Sequence, residues 1–303
     1  MTDINKKYKS RSLRESIYKT TDTYAGSDKL DQYDRWIFKD DNTLEKKAIK
    51  YVPAIYKVFD EIFVNAIDHS KRDDTMKNIR VEIDKSTGMV SVYNDGNGIE
   101  AQIHKKHNVY VLEMIFGILL TSTNYGDNQK RIVGGKNGYG AKLTNIFSEY
   151  FCVESVDAKL KKKVIIEWKN NMTEKSNVKV TKYTSKPYTK VTFKIDFERF
   201  KIKGFTDDFV SLIKRRVYDL SACSRANLGV YFNGEKIKVK DFKSYVKQFL
   251  PEDIKFVYQQ FEDSSIKDKR KRENRIWSIA VAFYPDNGFE QVSFVNGVYT
   301  PEG

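Results

Sequence analysis

The sequence predicts an α/β fold, and three observations carry that expectation. Apolar residues recur at three- and four-residue steps from Ile55 to Ile67 and again from Phe209 to Leu220, the period of an amphipathic helix. Apolar and polar residues alternate through 79–83 and 90–92, and over a longer stretch in CVESV, KVIIEW, VKVTKY and KVTFKI, the period of half-buried strands. At 303 residues, 40% hydrophobic and 14% aromatic, the chain exceeds the usual size of one core, so one large or two medium domains are expected.

The elements follow in order. Residues 1–50 are polar and broken by turn residues at 22–26 and 40–42, which predicts an extended arm with little core of its own. From Tyr51 the helical period sets in, and 79–92 reads as a hairpin around Thr87-Gly88 that runs into Asn94-Asp95-Gly96-Asn97-Gly98. Residues 109–120 (VYVLEMIFGILL) read as a buried helix, and the polar TSTNYGDNQKR after it as a mobile loop. A glycine-rich run then opens a helix expected from Ala141 to Tyr150, followed by the strand-rich stretch, a helix near 207–220, and the strand LGVYFNG with a turn at Asn233-Gly234. Composition changes near Lys240. Beyond it come a short helix (FKSYVKQFL), a basic stretch at 267–275, and strands at 276–284 and 291–296. The expected organisation is therefore an arm at 1–50, a main α/β domain at 51–240, and the incomplete start of an α+β domain at 241–303.

Several classes are excluded or disfavoured by composition. No run approaches ~18 apolar residues, and the polar N-terminus lacks the apolar core of a signal peptide, so an intracellular protein with no membrane partner is expected. Two cysteines and three histidines give no zinc spacing and no disulfide framework. A metal, if bound, should have oxygen ligands. The net charge of +13 points to a polyanionic partner such as nucleic acid. A lysine-rich coding bias is the alternative, since Asn, Ile, Tyr and Lys are frequent and prolines number 5, as in an AT-rich protist or large viral genome.

Three polar clusters stand out from the apolar sequence around them. On the first helix Glu61, Asn65 and Asp68 fall at i, i+4 and i+7, on one stripe opposite the apolar face. Glu61 could accept a proton from an attacking water, and Asn65 offers a neutral oxygen to Mg²⁺. A solvated helix face is the plain alternative. In Asn94-Asp95-Gly96-Asn97-Gly98-Ile99 a strand ends in short hydrogen-bonding side chains, with glycines that let backbone approach a flat ring such as adenine, or simply make a turn. In Gly134 to Lys142, glycines allow successive N–H groups to converge on one anion just before a helix, which makes a phosphate cradle. It is not a Walker loop, because Leu143 follows Lys142 where Ser or Thr is needed, nor a dinucleotide fingerprint, whose third glycine position holds Leu143.

In this order and spacing the clusters resemble the two-layer Bergerat-fold (GHKL) ATPases. Within that group VFDEIFVNAIDHSKRD, IFGILLTSTNYGD and VGGKNGYGAKLTNIFS are similar to the ATPase region of eukaryotic-type type II DNA topoisomerases, and RRVYDLSA, VYFNGEKI and QVSFVNGV continue the likeness. The resemblance implies a Bergerat ATPase sandwich followed by a truncated transducer domain. It implies ATP and Mg²⁺ as ligands, double-stranded DNA as partner, and an ATP-dependent homodimer that closes a gate on a transported duplex. The location would be a nucleus, a viral factory or a virion.

By the same resemblance Glu61 is the general base and Asn65 the Mg²⁺ ligand. Asn94 contacts adenine with Asp95 supporting the turn, and Ser122, Thr123 and Asn124 contact ribose and base. Gly135, Lys136, Asn137, Gly138, Tyr139, Gly140, Ala141 and Lys142 wrap the triphosphate, and Tyr24 reaches the partner subunit's nucleotide. Two positions depart from the family pattern: Lys136 stands where Arg is usual and Thr123 where Ser is usual. The family's Gln-x-Lys loop, its metal-binding cleavage domain and its DNA-attacking tyrosine have no counterpart in these residues, so neither cleavage nor relaxation is expected of the chain alone. A nucleotide-dependent clamp or chaperone of the same superfamily is the alternative, and the long match over 109–148 weighs against it. A histidine kinase lacks its phospho-acceptor helix here, and a plain DNA-binding module would rest on KLKKK (159–163) and KDKRKRENR (267–275), which suit basic surface loops.

Overall fold

A computed structural model describes residues 10–39, 43–121, 138–225, 227–239, 241–262, 265–266, 276–283 and 288–300. Its centre is α3 (Pro53–Arg72), preceded by α1 (Leu13–Lys19), α2 (Thr21–Ala25), and a hairpin of β1 (Asp31–Phe38) and β2 (Leu44–Tyr51). Pro53 starts α3 where no N–H is needed, and His69, Lys71 and Arg72 close it where cations complement the helix dipole. Its buried stripe includes Ile55, Val58, Phe59, Ile62, Phe63, Ala66 and Ile67, the apolar period read from the sequence. Phe59 packs on Phe63, Phe193, Phe205 and Phe209 with ring centroids 5.2–6.2 Å apart, so one side chain joins helix, sheet and a second helix.

Beneath α3 lies a nine-stranded sheet. Its strands are β3 (Asn78–Asp84), β4 (Met89–Asp95), β7 (Ser148–Asp157), β8 (Lys162–Lys169), β9 (Glu174–Lys175), β10 (Lys179–Lys182), β11 (Tyr188–Ile195), β12 (Gly229–Phe232) and β13 (Glu235–Lys236). The order is β10-β8-β7-β11-β4-β3-β12-β13, with β9 also on β8. The β12–β3 pair is parallel and the others antiparallel. Alternation decides which face is covered: Ile79, Val81 and Ile83 on β3, and Val191, Phe193 and Ile195 on β11, are buried, while their neighbours are not. The covering layer is α3 with α4 (Val111–Gly117), α5 (Gly140–Ile146) and α6 (Asp207–Ala222), a two-layer α/β sandwich. Thr206 caps α6 by accepting from the Phe209 amide at 3.1 Å, with Asp207 and Asp208 in the first turn.

Four segments differ from the sequence reading. The first fifty residues hold helices and a hairpin, not an extended arm, and they carry core: Ile17, Ile37 and Ile49 are fully buried. Their anchors are remote in sequence. The Arg199 guanidinium donates to Tyr18 O, Thr21 Oγ1 and Asp28 Oδ2 at 3.0, 2.8 and 3.1 Å, and Arg14 Nε donates to Asn171 O at 2.7 Å. In 109–120 the helix is only α4, preceded by the short strand β6 (Val109–Tyr110), which pairs with β5 (Ile103–His104). Gly117 ends α4 against the Trp168 ring, where a Cβ would lie 2.7 Å from it. The helix expected to reach Tyr150 stops at Ile146. Ser148 and Tyr150 are claimed instead by the ladders with β11 and β8.

Past Lys240 the helix is shorter than FKSYVKQFL, spanning α7 (Phe242–Val246), and 291–296 yields only β16 (Phe294–Val295), in a tight hairpin with β17 (Val298–Tyr299). A second hairpin pairs β14 (Phe256–Glu262) with β15 (Ile276–Ala282). The β16–β17 turn is tied to the sandwich by charge: Arg216 on α6 donates to Asp60 of α3 at 2.6 Å and to Gly297 O at 2.7 Å, all within the interior. The basic stretch 267–275 and the loop after Thr121 lie outside the described residues.

Candidate functional site

Between α3, α5 and the ends of β4 and β11 lies a cavity of about 1070 Å³. The helix wall is Glu61, Asn65 and Asp68, brought to one face by their spacing as read from the sequence. Across from it are Gly138, Tyr139, Gly140, Ala141 and Lys142, and the floor carries Asn94 and Thr189. Three clusters separated by up to 81 positions (from 61 to 142) thus meet in one place, because α3 and α5 pack directly together.

Glu61 sits at the contact between the two helices. Its carboxylate pairs with the Lys57 ammonium at 2.6 Å, and it lies so close to Gly140 that a Cβ there would fall 2.2 Å from Oε2. Only glycine leaves this carboxylate room to face the cavity. Lys142 is buried, with its ammonium donating to the Thr121 and Gly138 carbonyls at 2.6 and 2.7 Å. Desolvation pushes its pKa down to about 8. These are bonds that a phosphate oxygen could replace.

One carboxylate holds the Asn94 to Gly98 segment and a second holds the turn after it. Asp73, at the end of α3, accepts from the Asn97 amide at 2.6 Å and the Asn97 side chain at 3.0 Å, and also from Thr75. Burial would raise its pKa, and the bonds from Thr75 and Asn97 outweigh that and hold it below the usual range. Gly98, at φ 72°, passes so near the Val156 carbonyl that a Cβ would stand 1.9 Å from its oxygen. Asp157 fixes the next turn by accepting from Ala101 N at 2.9 Å. On the floor, Asn94, Thr189 and Ser155 stand in one row across three strands, with the Ser155 and Thr189 hydroxyls 2.7 Å apart.

The structure distributes the expected site residues unevenly. Glu61, Asn65, Asn94 and Gly138 to Lys142 all line the cavity. Tyr24 does so as well, its ring 6.0 Å from that of Tyr139, within the same chain. Asp95 lies off the lining, because its carboxylate accepts from Lys77 N and Asn78 N at 2.6 and 2.8 Å and so braces the start of β3. Ser122, Thr123, Asn124, Gly135, Lys136 and Asn137 are outside the described residues. Sequence reasoning missed Lys57, Asp73 and Thr189. Lys57 had a signal in its four-residue spacing to Glu61, and Asp73 had one in its Asp-x-Thr turn. Thr189 had only its place as the first inward residue of an alternating strand.

Glu61, Asn65 and Asp68 supply oxygen donors on one wall of the cavity. Among the described residues no group of three or more His, Cys, Asp or Glu could hold a metal by itself. That donor set suits Mg²⁺, which takes one or two protein oxygens and completes its shell with water and phosphate.

The family described as histidine kinase-, DNA gyrase B- and HSP90-like ATPase matches residues 51–199. The ATPase region of Saccharomyces cerevisiae topoisomerase II superposes with a TM-score of 0.87 at 39% identity, over 99% of this chain and 76% of that one. The chain belongs to the type II DNA topoisomerase family, in its ATPase region. The ATPase and transducer domains of Balamuthia mandrillaris DNA topoisomerase II give a TM-score of 0.86 at 36% identity, over 99% and 73% of the two chains. The DNA topoisomerase 2 of Acanthamoeba polyphaga mimivirus is 42% identical over 99% of this chain, which spans 23% of that relative. The corresponding share is 21% for the Saccharomyces cerevisiae enzyme, so the chain covers about a fifth of the curated relatives it matches. The ATPase domain of Thermus thermophilus gyrase B, 19% identical at a TM-score of 0.58, shares the fold. The sandwich is therefore the GHKL ATPase fold.

Proposed function

We propose that this chain binds ATP between α3 and α5, hydrolyses it with Glu61 as general base, and serves as the nucleotide-driven gate of a type II DNA topoisomerase. The observation that supports this most directly is the meeting of Glu61, Asn65, Asn94 and the Gly138 to Lys142 segment around one cavity. Asn94 and Thr189 on the floor offer polar groups to the adenine edge, and Lys142 with the backbone beside it offers charge and N–H groups to the phosphates. Glu61 takes the proton of the water that attacks the γ-phosphorus, and the breaking P–O bond leaves its electron pair on ADP. Before that, Glu61 must be released from Lys57. Asn65 is the residue to hold Mg²⁺, which when bound would offset phosphate charge.

In the whole enzyme, nucleotide would favour a dimer of two such domains, because contacts to it exist only in the closed state, and closure would trap a DNA duplex. Tyr24, which lines the cavity beside Tyr139, would in that dimer reach toward the partner's nucleotide. The reading is tested with Glu61→Ala in the full-length protein: binding of a non-hydrolysable ATP analogue should persist while hydrolysis falls at least a hundredfold. Unchanged turnover would overturn the assignment of the base.

A further inference from the structure

Behind the nucleotide pocket is a second cavity, of about 190 Å³, lined by Arg35, Tyr51, Lys57, Asp60, Arg215 and Tyr299 among others. We propose that it binds a free tetrahedral oxyanion of the size of phosphate or sulfate. Its volume is less than a fifth of the nucleotide cavity's, which excludes a nucleoside triphosphate. Its walls bring three cationic side chains against one carboxylate. That carboxylate, Asp60, is already engaged by Arg216 Nε at 2.6 Å.

Arg215 is the decisive group. Its side chain is 3% exposed, its guanidinium lies over the Tyr299 ring at 5.0 Å, and neither Nε nor Nη2 makes a well-aligned hydrogen bond among the described residues. The carboxylate beside it, Asp219, stands 3.5 Å from Nε and accepts a bond from the Tyr245 hydroxyl at 2.6 Å. A buried guanidinium with unpaired N–H groups is costly unless an acceptor reaches it. Arg35, held with Nε on the Tyr51 hydroxyl at 3.0 Å, brings a second guanidinium to the same space. Oxyanions match such forks, whereas a neutral occupant leaves the donors unpaired and a cation is repelled.

Lys57 lines both cavities and pairs with Glu61 at 2.6 Å. On the ATPase reading, an anion that draws Lys57 toward the smaller cavity frees Glu61 to act as base, so anion and nucleotide occupancy are linked. That linkage rests on the proposed function, whereas anion binding itself does not.

The test is thermal unfolding of the 303-residue chain, titrated with sodium sulfate against sodium chloride at matched ionic strength. Sulfate should raise the melting temperature saturably, above its general, non-saturating effect on folded proteins. The apparent affinity should fall at least tenfold in Arg35→Gln and in Arg215→Lys, which keeps the charge and loses the fork. If Arg215→Lys does not fold, Arg35→Gln decides alone, since that side chain is half-buried at the cavity edge. A Gly138→Val variant should keep the sulfate response and lose the response to a non-hydrolysable ATP analogue. A non-saturating response, or one equal in wild type and Arg35→Gln, overturns the proposal. Failure of the nucleotide titration in the wild type would overturn the ATPase reading and leave the sulfate result standing.

Discussion

Lys142 is buried with its ammonium on two carbonyls, and desolvation lowers its pKa from the ordinary 10.5 to about 8. Between about pH 8 and 10.5 the unfolded chain holds a proton there that the folded chain has released, so this group's contribution to stability rises with pH across that window. Lys142→Met should remove the rise, as read by urea denaturation between pH 7.5 and 10. Phosphates restore the charged form, so nucleotide binding at pH 8.5 should take up protons. The calorimetric enthalpy would then vary with the buffer's ionisation enthalpy in the wild type and not in Lys142→Met. At Gly98 the constraint is steric: with φ 72° and the Val156 carbonyl 1.9 Å from a would-be Cβ, Gly98→Ala should cost at least about 1–2 kcal/mol in chemical denaturation. Glu61, Asn65 and Asn94 were legible as site residues because their chemistry and spacing carry the signal. Thr189 was not, since it works through Ser155, which only the fold brings near, and the Asp-x-Thr turn at Asp73 signals its bonds to Thr75 but not those to Asn97.

Among the elements, α3 is the one on which both core and site depend. Phe59→Ala removes a ring that touches four others, and should destabilise the chain by about 3–5 kcal/mol, measured by denaturant unfolding. The helical and strand periods of α3, α6, β3, β4 and β11 were plain in the sequence, because each element buries one face against one layer. The misread elements are those whose limits are set from outside. The helix before β7 yields to sheet pairing at Ser148, and α1 and α2 are held by Arg199, over 170 positions away. Arg199→Ala should therefore loosen α1 and α2 selectively. Hydrogen exchange over residues 13–25 should rise at least tenfold while α3 stays protected, and equal protection in both proteins would show that apolar packing of Ile17 suffices.

For the molecule as a whole, the Asp60–Arg216 pair joins α3, α6 and the β16–β17 turn. Arg216→Met would remove the hydrogen-bonded partner of the buried Asp60, at a cost of about 3–5 kcal/mol. Global unfolding should report it, and a change under ~1 kcal/mol would mean that the interior adapts. The net charge of +13 bears on the proposed DNA partner. Lys161, exposed in the turn between β7 and β8, and Lys162, exposed at the start of β8, belong to the basic run at 159–163. If they meet phosphates, replacing both with Gln should reduce the slope of log affinity against log salt by about 0.9 for each phosphate no longer neutralised.

By itself the sequence determined the α/β class, the stripe of α3, the order of the three polar clusters, and through them the resemblance to the topoisomerase ATPase region. These are properties of residue type and short-range spacing. The tertiary structure alone decided that the clusters face one cavity, that Gly140 and Lys57 hold the Glu61 carboxylate from two sides, that Asp95 braces a strand, and that Arg215 borders a smaller cavity with donors unpaired. Each of these is a meeting of groups distant along the chain, and no local period records which distant groups the packing of helices on a sheet will bring together.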